Sequence, residues 1–381
     1  NDFTIAANVN LDATDTDFLN ITAGTADSGL VVTLSVSGAK VQTATLTSTS
    51  TGAPISITGL FLDSAAELTT LTVSTTDGDN DSGINFSHLG NGTAAAKLTT
   101  IDLDASHAAD ITTGNIDAEG AAITSFTADA ATSGSVITTG NLTFASATSI
   151  TTTAVSGATI DLAGAVAAST IGTVKHTGAG NFRMDATANA ITTLERLDLT
   201  GATGTNSVEL SGVTNAVTVN LGTGADTVVL SGVADDVNLS STASVDTLEY
   251  TESTSPTVIA TVSNFAFGSG GDVINIDLNE MEANGAHTAA RETDLVMGNS
   301  GAMVAGNALI KEVSGATSLA AGSDVLVFTR TTYANTDAIV TAVQGGGDSI
   351  TTNIVWANND ATLAFYSDGT DMYLAMITYI S

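Results

Sequence analysis

The pentapeptide Ile-Thr-Thr-Gly-Asn occurs at 111–115 and again at 137–141, a spacing of 26. Repetition at that distance constrains a fold more than composition does, because each unit is too small to bury its own apolar face and must stack on the next. A second phrase, apolar-Thr-Thr/Ser-apolar, appears at Leu68–Leu71, Leu98–Ile101, Ile123–Phe126 and Ile191–Leu194. Its separations are 30, 25 and 68, and if the last covers three units the period is about 23. Residues 55–206 therefore read as β-solenoid repeats, and 1–54 as a separate β module or the first coils.

Within a unit the apolar residues alternate with polar ones, as in Leu68, Leu71 and Val73 or Leu98, Ile101 and Leu103, and each run ends at Gly, Asp or Asn. Period-two alternation bounded by turn residues is the mark of a half-buried strand. Threonine suits such strands because its branched Cβ favours extended backbone. Its hydroxyl can face water or form a ladder with the threonine of the next coil. The strands Val31–Val36 and Val41–Leu46 extend the pattern into the segment 1–54.

A shorter period follows over 207–256, where Leu221, Leu230 and Leu239 are nine apart with Gly-containing turns between them. A nine-residue unit of turn plus short strand predicts a parallel β-roll. From 257 to 381 the repetition fades into strands at Val258–Val262, Val273–Leu278, Val325–Phe328, Ile350–Val355, Thr362–Tyr366 and Met372–Ile377. Helices are expected at 279–297 and Asn335–Gln344, the second ended by Gly345-Gly346-Gly347. This part reads as a mixed, β-rich C-terminal cap with one or two short helices, also holding the assembly and secretion-signal region. A cap is needed because an open terminal coil is an exposed sheet edge. The expected fold class is all-β, a right-handed parallel β-solenoid (β-helix or β-roll).

Eight Lys and Arg stand against forty Asp and Glu, a formal net charge of -32. The cations are scattered singly, which argues against nucleic acid and against anionic lipid as partners. Hydrophobic residues make up 43 % of the chain and mean hydropathy is +0.28, so the chain folds rather than staying disordered. Aromatic residues are only 4 %, so the core must be assembled from small aliphatic side chains, which suits thin repeated layers. With no cysteine there is no disulfide, thiolate metal site or thiol nucleophile. No window has the length of uninterrupted apolar sequence that a membrane span needs, and no basic-then-apolar signal peptide opens the chain. A chain opening at Asn1 reads as processed or as a piece of a longer one.

Two turns carry calcium-like chemistry. Asp77, Asp79 and Asp81 stand at alternate positions in Asp-Gly-Asp-Asn-Asp-Ser-Gly, where a turn lets three carboxylates converge and their repulsion calls for a cation. Calcium takes about six to eight oxygens in flexible geometry. The match to an EF-hand is incomplete, since Gly83 is seventh and His88 takes the place of the bidentate Glu. The competing reading is a solvated acidic turn. The second turn is Leu221-Gly-Thr-Gly-Ala-Asp-Thr-Val-Val229.

That segment resembles the glycine-rich nonapeptide of RTX proteins: Gly222, Gly224, Asp226 and Val228 match, while Leu221 stands where the first Gly belongs. The phrase Asn264–Ile276, which contains Asp272, is similar to the sequence that follows RTX repeats, and Phe365–Leu374 to the C-terminal hairpin of the same group. With the Thr/Ala-rich strands upstream, the whole resembles bacterial RTX-type surface-layer and β-strand-repeat secreted proteins exported by type I systems. The resemblance is specific over about 208–280 and 360–377. It implies calcium as the ligand, with Gly222, Gly224, Asp226, Asp235, Asp236 and Asp272 as candidate binding positions beside Asp77, Asp79 and Asp81. It also implies an uncleaved export signal near the C-terminus, an extracellular cell-surface location and self-assembly into a lattice.

Catalysis has little to stand on. His88, His107, His176 and His287 fall in unrelated contexts, with no metalloprotease helix motif and no nucleophile elbow. The pairs Asp102/Asp104 and Asp235/Asp236 suit a glycosidase or lyase in principle, but forty acids make accidental pairs certain. The expectation is a non-enzymatic structural subunit of a calcium-dependent extracellular lattice. Its partners would be copies of itself in a two-dimensional lattice or filament, and cell-surface polysaccharide. The alternatives are an extracellular adhesin or fibre protein and, behind it, a polysaccharide-active β-helix enzyme.

Overall fold

The computed structural model describes residues 4–10, 17–23, 31–37, 41–48, 55–64, 68–75, 83–89, 97–118, 123–144, 149–162, 166–168, 171–186, 193–240, 244–250, 260–266, 271–276, 295–297, 304–305, 310–313, 318–319, 325–328, 333–334, 336–343, 351–352, 361–367 and 372–378. The fold is a β-solenoid of parallel sheets. The chain divides into two compact units, 1–215 with 222–225, and 216–221 with 226–381.

In the first unit the coils pass between two sheets, each giving one strand to the second and one or two to the first, in which Leu142–Phe144 and Val166–Ala168 are the additional strands. One sheet runs Thr4–Asn10, Val31–Ser37, Ile55–Ser64, Gly83–Leu89, Asp110–Ala118, Val136–Thr139, Thr159–Leu162, Asn181–Asp185 and Asn206–Glu209. The other runs Asp17–Ala23, Val41–Ser48, Thr70–Thr75, Thr100–Ala105, Ser125–Ala130, Ser149–Ala154, Thr173–Gly178 and Arg196–Ala202. The strands of 1–54 are the first coils of these sheets, Val31–Ser37 running parallel to Ile55–Ser64 and Val41–Ser48 to Thr70–Thr75.

Alternation decides which side of each strand faces in. Thr100–Ala105 buries Ile101, Leu103 and Ala105 and turns Thr100, Asp102 and Asp104 outward. Phe126 from one sheet meets Phe144 from the other with ring centroids 5.7 Å apart, so the core is a single layer of inward side chains. Burying one such aromatic contributes roughly 2–3 kcal/mol.

Register gives the true period. Leu71 pairs with Ile101, Ile101 with Phe126, Phe126 with Ile150, Ile150 with Val174, and Val174 with Leu197. The last three steps are 24, 24 and 23. The phrase at Ile191–Leu194 is therefore out of phase by three. Leu194, not Ile191, is the equivalent of Leu68, Leu98 and Ile123, because it stands three before an inward strand residue as they do. The repeated pentapeptide is in phase: Ile111 pairs with Ile137 and Thr113 with Thr139.

The second unit contains Thr218–Asn220, Asp236–Asn238 and Thr261–Ser263 in one sheet, and Asp226–Val229, Thr247–Tyr250 and Val273–Ile276 in another. Thr218 pairs with Asp236, a step of 18 that equals two of the expected nine-residue repeats. The later steps widen to 20, 25 and 26, so the short period spans one coil and no more. Leu221, Leu230 and Leu239 are all buried.

The same unit holds a four-stranded sheet, Ile310–Val313, Val325–Phe328, Ala361–Ser367 and Met372–Thr378, with the last two antiparallel. Ser318–Leu319 pairs with Thr351–Thr352. The helix expected at Asn335–Gln344 is Thr336–Val343, with Asp337 in its first turn and Ile339 buried. The helix expected over 279–297 needs correction at its end. Leu295–Met297 is a strand antiparallel to Val273–Ile276, because its apolar run satisfies the open edge of that sheet. Residues 277–294 lie outside the described residues.

Candidate functional site

The corners where coils turn between sheets contain most of the residues singled out in the sequence. Thr69, Thr99 and Thr124 begin the strands of one sheet, and each uses both its amide and its hydroxyl on one carbonyl of the preceding coil. Thr99 donates from N at 2.9 Å and from Oγ1 at 3.1 Å to Thr69 O, and Thr124 does the same to Thr99 O at 2.9 and 3.3 Å. At these corners the hydroxyls bond carbonyls, while on the strands Thr153 Oγ1 meets Thr177 Oγ1 at 3.3 Å and Thr47 Oγ1 meets Ser74 Oγ at 3.0 Å, the hydroxyl ladder from one coil to the next.

Gly222 and Gly224, in the first unit, occupy a corner where backbones touch. A Cβ on Gly222 would lie 2.1 Å from Ala202 O, and one on Gly224 1.7 Å from Gly204 O. Gly204 has the same relation to Gly180, at 1.9 Å. Thr223 N donates to Ala202 O at 2.9 Å across this contact. The glycines are required by stacking at this corner, whatever ligand is present.

Asp226, in the second unit, opens the strand Asp226–Val229 and is 1 % exposed. Its amide donates to Asp246 Oδ1 at 3.1 Å, and the Asp246 amide donates to Asp272 Oδ1 at 3.0 Å. Asp272 Oδ2 accepts from Ala266 N at 2.7 Å. The result is a ladder of three buried aspartates, one per coil, each carboxylate above the first holding the amide of the coil before it. Asp246 is fully buried and its Oδ2 has no hydrogen-bond partner. Burial pushes the Asp246 carboxyl up to about 6. The charges of Asp226 and Asp272 push the same way, while the amides of Asp226 and Ser240 offset part of the rise.

Asp235 makes the equivalent contact in the other sheet. It accepts from Val217 N at 3.0 Å and Ser231 N at 2.9 Å, and the Ser231 hydroxyl reaches both its oxygens. Burial still holds its carboxyl above the usual carboxylate value. Asp236 points the opposite way and is exposed, so the pair Asp235/Asp236 does not converge on one centre. Asp77, Asp79 and Asp81 lie outside the described residues.

Among the described residues no three His, Asp or Glu side chains converge as a metal site. Asp246 Oδ1 and Asp272 Oδ1 each hold one backbone amide, which leaves Asp246 Oδ2 as the carboxylate oxygen of the ladder still open to a ligand.

The sequence reading missed Asp246 and His176. Asp246-Thr-Leu lacks the glycines that mark Asp226, but Asp-x-aliphatic recurs at 226, 246 and 272 and is the signal that finds the ladder. His176 is fully buried in the first unit, stacked on Phe182 with centroids 4.8 Å apart. Its Nδ1 meets the Thr152 hydroxyl at 2.8 Å, and Nε2 has no partner. Burial pushes its pKa down to about 4, against a smaller upward effect of the Gly180 backbone.

The geometry defines the class as a parallel β-solenoid. Comparison with protein-family models, with curated proteins and with solved structures finds no match.

Proposed function

We propose that this chain is a structural subunit of an extracellular, calcium-dependent self-assembling lattice of the surface-layer kind. The observation that carries the reading is the solenoid itself. In-register coils present long, regular rows of outward Thr, Ser and Asp, a surface that repeats and therefore suits periodic contacts. The charge of -32 supports the ionic part: inside a cell, where free calcium is low, self-repulsion favours an extended chain suited to export. Outside, calcium neutralises the acids and holds subunits together. Its place in this reading is the Asp77–Asp81 turn and outward carboxylates. An ion that binds only the folded chain adds about 2.7 kcal/mol per site at a hundredfold excess over its Kd.

Negative-stain electron microscopy with millimolar calcium and with excess chelator tests this reading. Ordered sheets or tubes that form with calcium and dissolve in chelator are the expected result. Folded monomers indifferent to calcium, with an unchanged melting temperature, would sink it.

A further inference from the structure

The outward side of the second sheet in the first unit carries a charge pattern that specifies a partner. Pairing registers set its residues in rows across the strands. One row is Thr72, Asp102, Thr127, Thr151, Lys175 and Asp198. A second is Ser74, Asp104, Asp129, Thr153 and Thr177. A third is Thr70, Thr100, Ser125, Ser149, Thr173 and Arg196.

The acids Asp102, Asp104 and Asp129 thus sit at one end of the face and the cations Lys175 and Arg196 at the other, with hydroxyls between. Asp198 is already engaged by Arg196 at 3.1 Å and by the Thr200 hydroxyl at 2.7 Å. Lys175 is exposed and makes no ion pair among the described residues. Asp102 accepts a hydrogen bond from the Thr127 hydroxyl but, among the described residues, has no cation beside it on this face. Asp102 and Lys175 are three strands apart, about 14 Å, beyond the screening length of roughly 8 Å at physiological salt. They do not satisfy one another within a protomer. Burial and the neighbouring carboxylates hold Asp104 and Asp129 above their ordinary values, so the acidic end is under strain from its own charge.

We propose that this face binds the same face of a second copy about a two-fold axis running along the strands, between Ser125–Ala130 and Ser149–Ala154. This inference rests on the assembly reading above and names its contact. The axis lays Thr100–Ala105 over Thr173–Gly178 of the second copy, so Asp102 meets Lys175 twice by symmetry. Thr127 meets Thr151, Asp129 meets Thr153, Asp104 meets Thr177, and Asp198 meets Thr72. No carboxylate faces another.

The neighbouring registers fail on charge. Shifting the second copy by one strand one way sets Asp102 over Asp198. Shifting it the other way sets Asp129 over Asp129. The pattern therefore selects one register, with like-charge contact opposing its neighbours. Six strands cover an area that buries about 1,000 Å² in total, the low end for specific interfaces and suited to a contact repeated through an array.

Sedimentation of the full chain tests the pairing. Asp102→Lys or Lys175→Asp alone opposes like charges and is expected to weaken dimerisation about tenfold or more, while the double exchange restores it. Asp102→Asn and Lys175→Gln, which only neutralise, should weaken it less, and circular dichroism checks that each variant folds. In this cysteine-free chain, Asp102→Cys with Lys175→Cys should yield a disulfide-linked dimer on oxidation, since the two are too far apart to join within one protomer. Single exchanges without effect, or a double exchange that does not restore association, would overturn the proposal. Calcium-dependent sheets formed equally by wild type and single exchanges would overturn it while leaving the lattice reading intact. Absence of sheets from wild type, with the charge-exchange cycle intact, would sink the lattice reading and keep the pairing.

Discussion

The coils between Thr100 and Ala202 and those between Val217 and Ile276 share one architecture but place different chemistry inside it. The first set holds its corners with threonine hydroxyls on carbonyls and with one half-buried carboxylate, Asp110, on the Val136 amide, and its interior is mainly aliphatic and aromatic, with Thr113, Ser135, Thr139, Thr152 and the neutral His176 buried among them. The second set holds its corners with carboxylates on amides, burying Asp235, Asp246 and Asp272 to do so, with Asp226 buried at the start of the same ladder. A carboxylate is the stronger acceptor, but a stack of them accumulates charge where water cannot screen it. The same sheet geometry thus carries opposite responses to pH.

The direction follows from the largest shift in each set, His176 in the first against smaller rises at Asp104 and Asp129, and Asp246 in the second with Asp235 shifted the same way. His176 has its folded pKa lowered to about 4 from 6.5, so its contribution is complete above pH 6.5 and lost as pH falls toward 4. Asp246 has its folded pKa raised to about 6 from 3.8, so its contribution is complete below about 3.8 and lost as pH rises through 6. Between pH 4 and 6.5 acidification weakens the first set and strengthens the second.

The largest expected effect comes from breaking a corner shared in kind by many coils. Gly224→Val drives a side chain into Gly204 O and should cost about 4 kcal/mol or more, seen as loss of a cooperative urea transition. Next is His176→Phe, which should remove the acid sensitivity of the first set, worth up to about 3 kcal/mol between pH 6.5 and 4 in thermal melts. Asp246→Asn keeps the acceptor for the Asp226 amide and removes the buried charge. In chelator, with allowance for solvent screening, it should raise stability by about 2 kcal/mol at pH 7.5 and leave it nearly unchanged at pH 4. Thr99→Val removes one hydroxyl-to-carbonyl bond and should cost about 1 kcal/mol by urea titration.

Much of this fold is legible in the sequence because strand period and coil period are both physical requirements. Alternation located Leu71, Ile101 and Phe126 as inward residues, and the pentapeptide located two stacked strands. The fourth apolar phrase misled by three positions because Ile191-Thr-Thr-Leu fits the pattern by chance beside the true position, Leu194. The nine-residue step held for one coil, since later turns lengthen without changing their strands. Glycine in the RTX-like turn drew attention to Asp226 as a ligand, yet Gly222 and Gly224 are explained by backbone contact with Ala202 and Gly204. Asp246 carries no flanking glycine and shows only through the recurrence of Asp-x-aliphatic, while the environment of His176 is set by Thr152 and Phe182 from other strands and leaves no local signal.

Amide hydrogen exchange resolved by peptide, in chelator and across pH 4 to 7.5 with intrinsic rates corrected, tests the contrast between the two sets of coils most directly. The account predicts that 226–276 loses protection as pH rises through about 6, while 150–186 loses protection as pH falls toward about 4. Protection that moves in the same direction in both segments would contradict it.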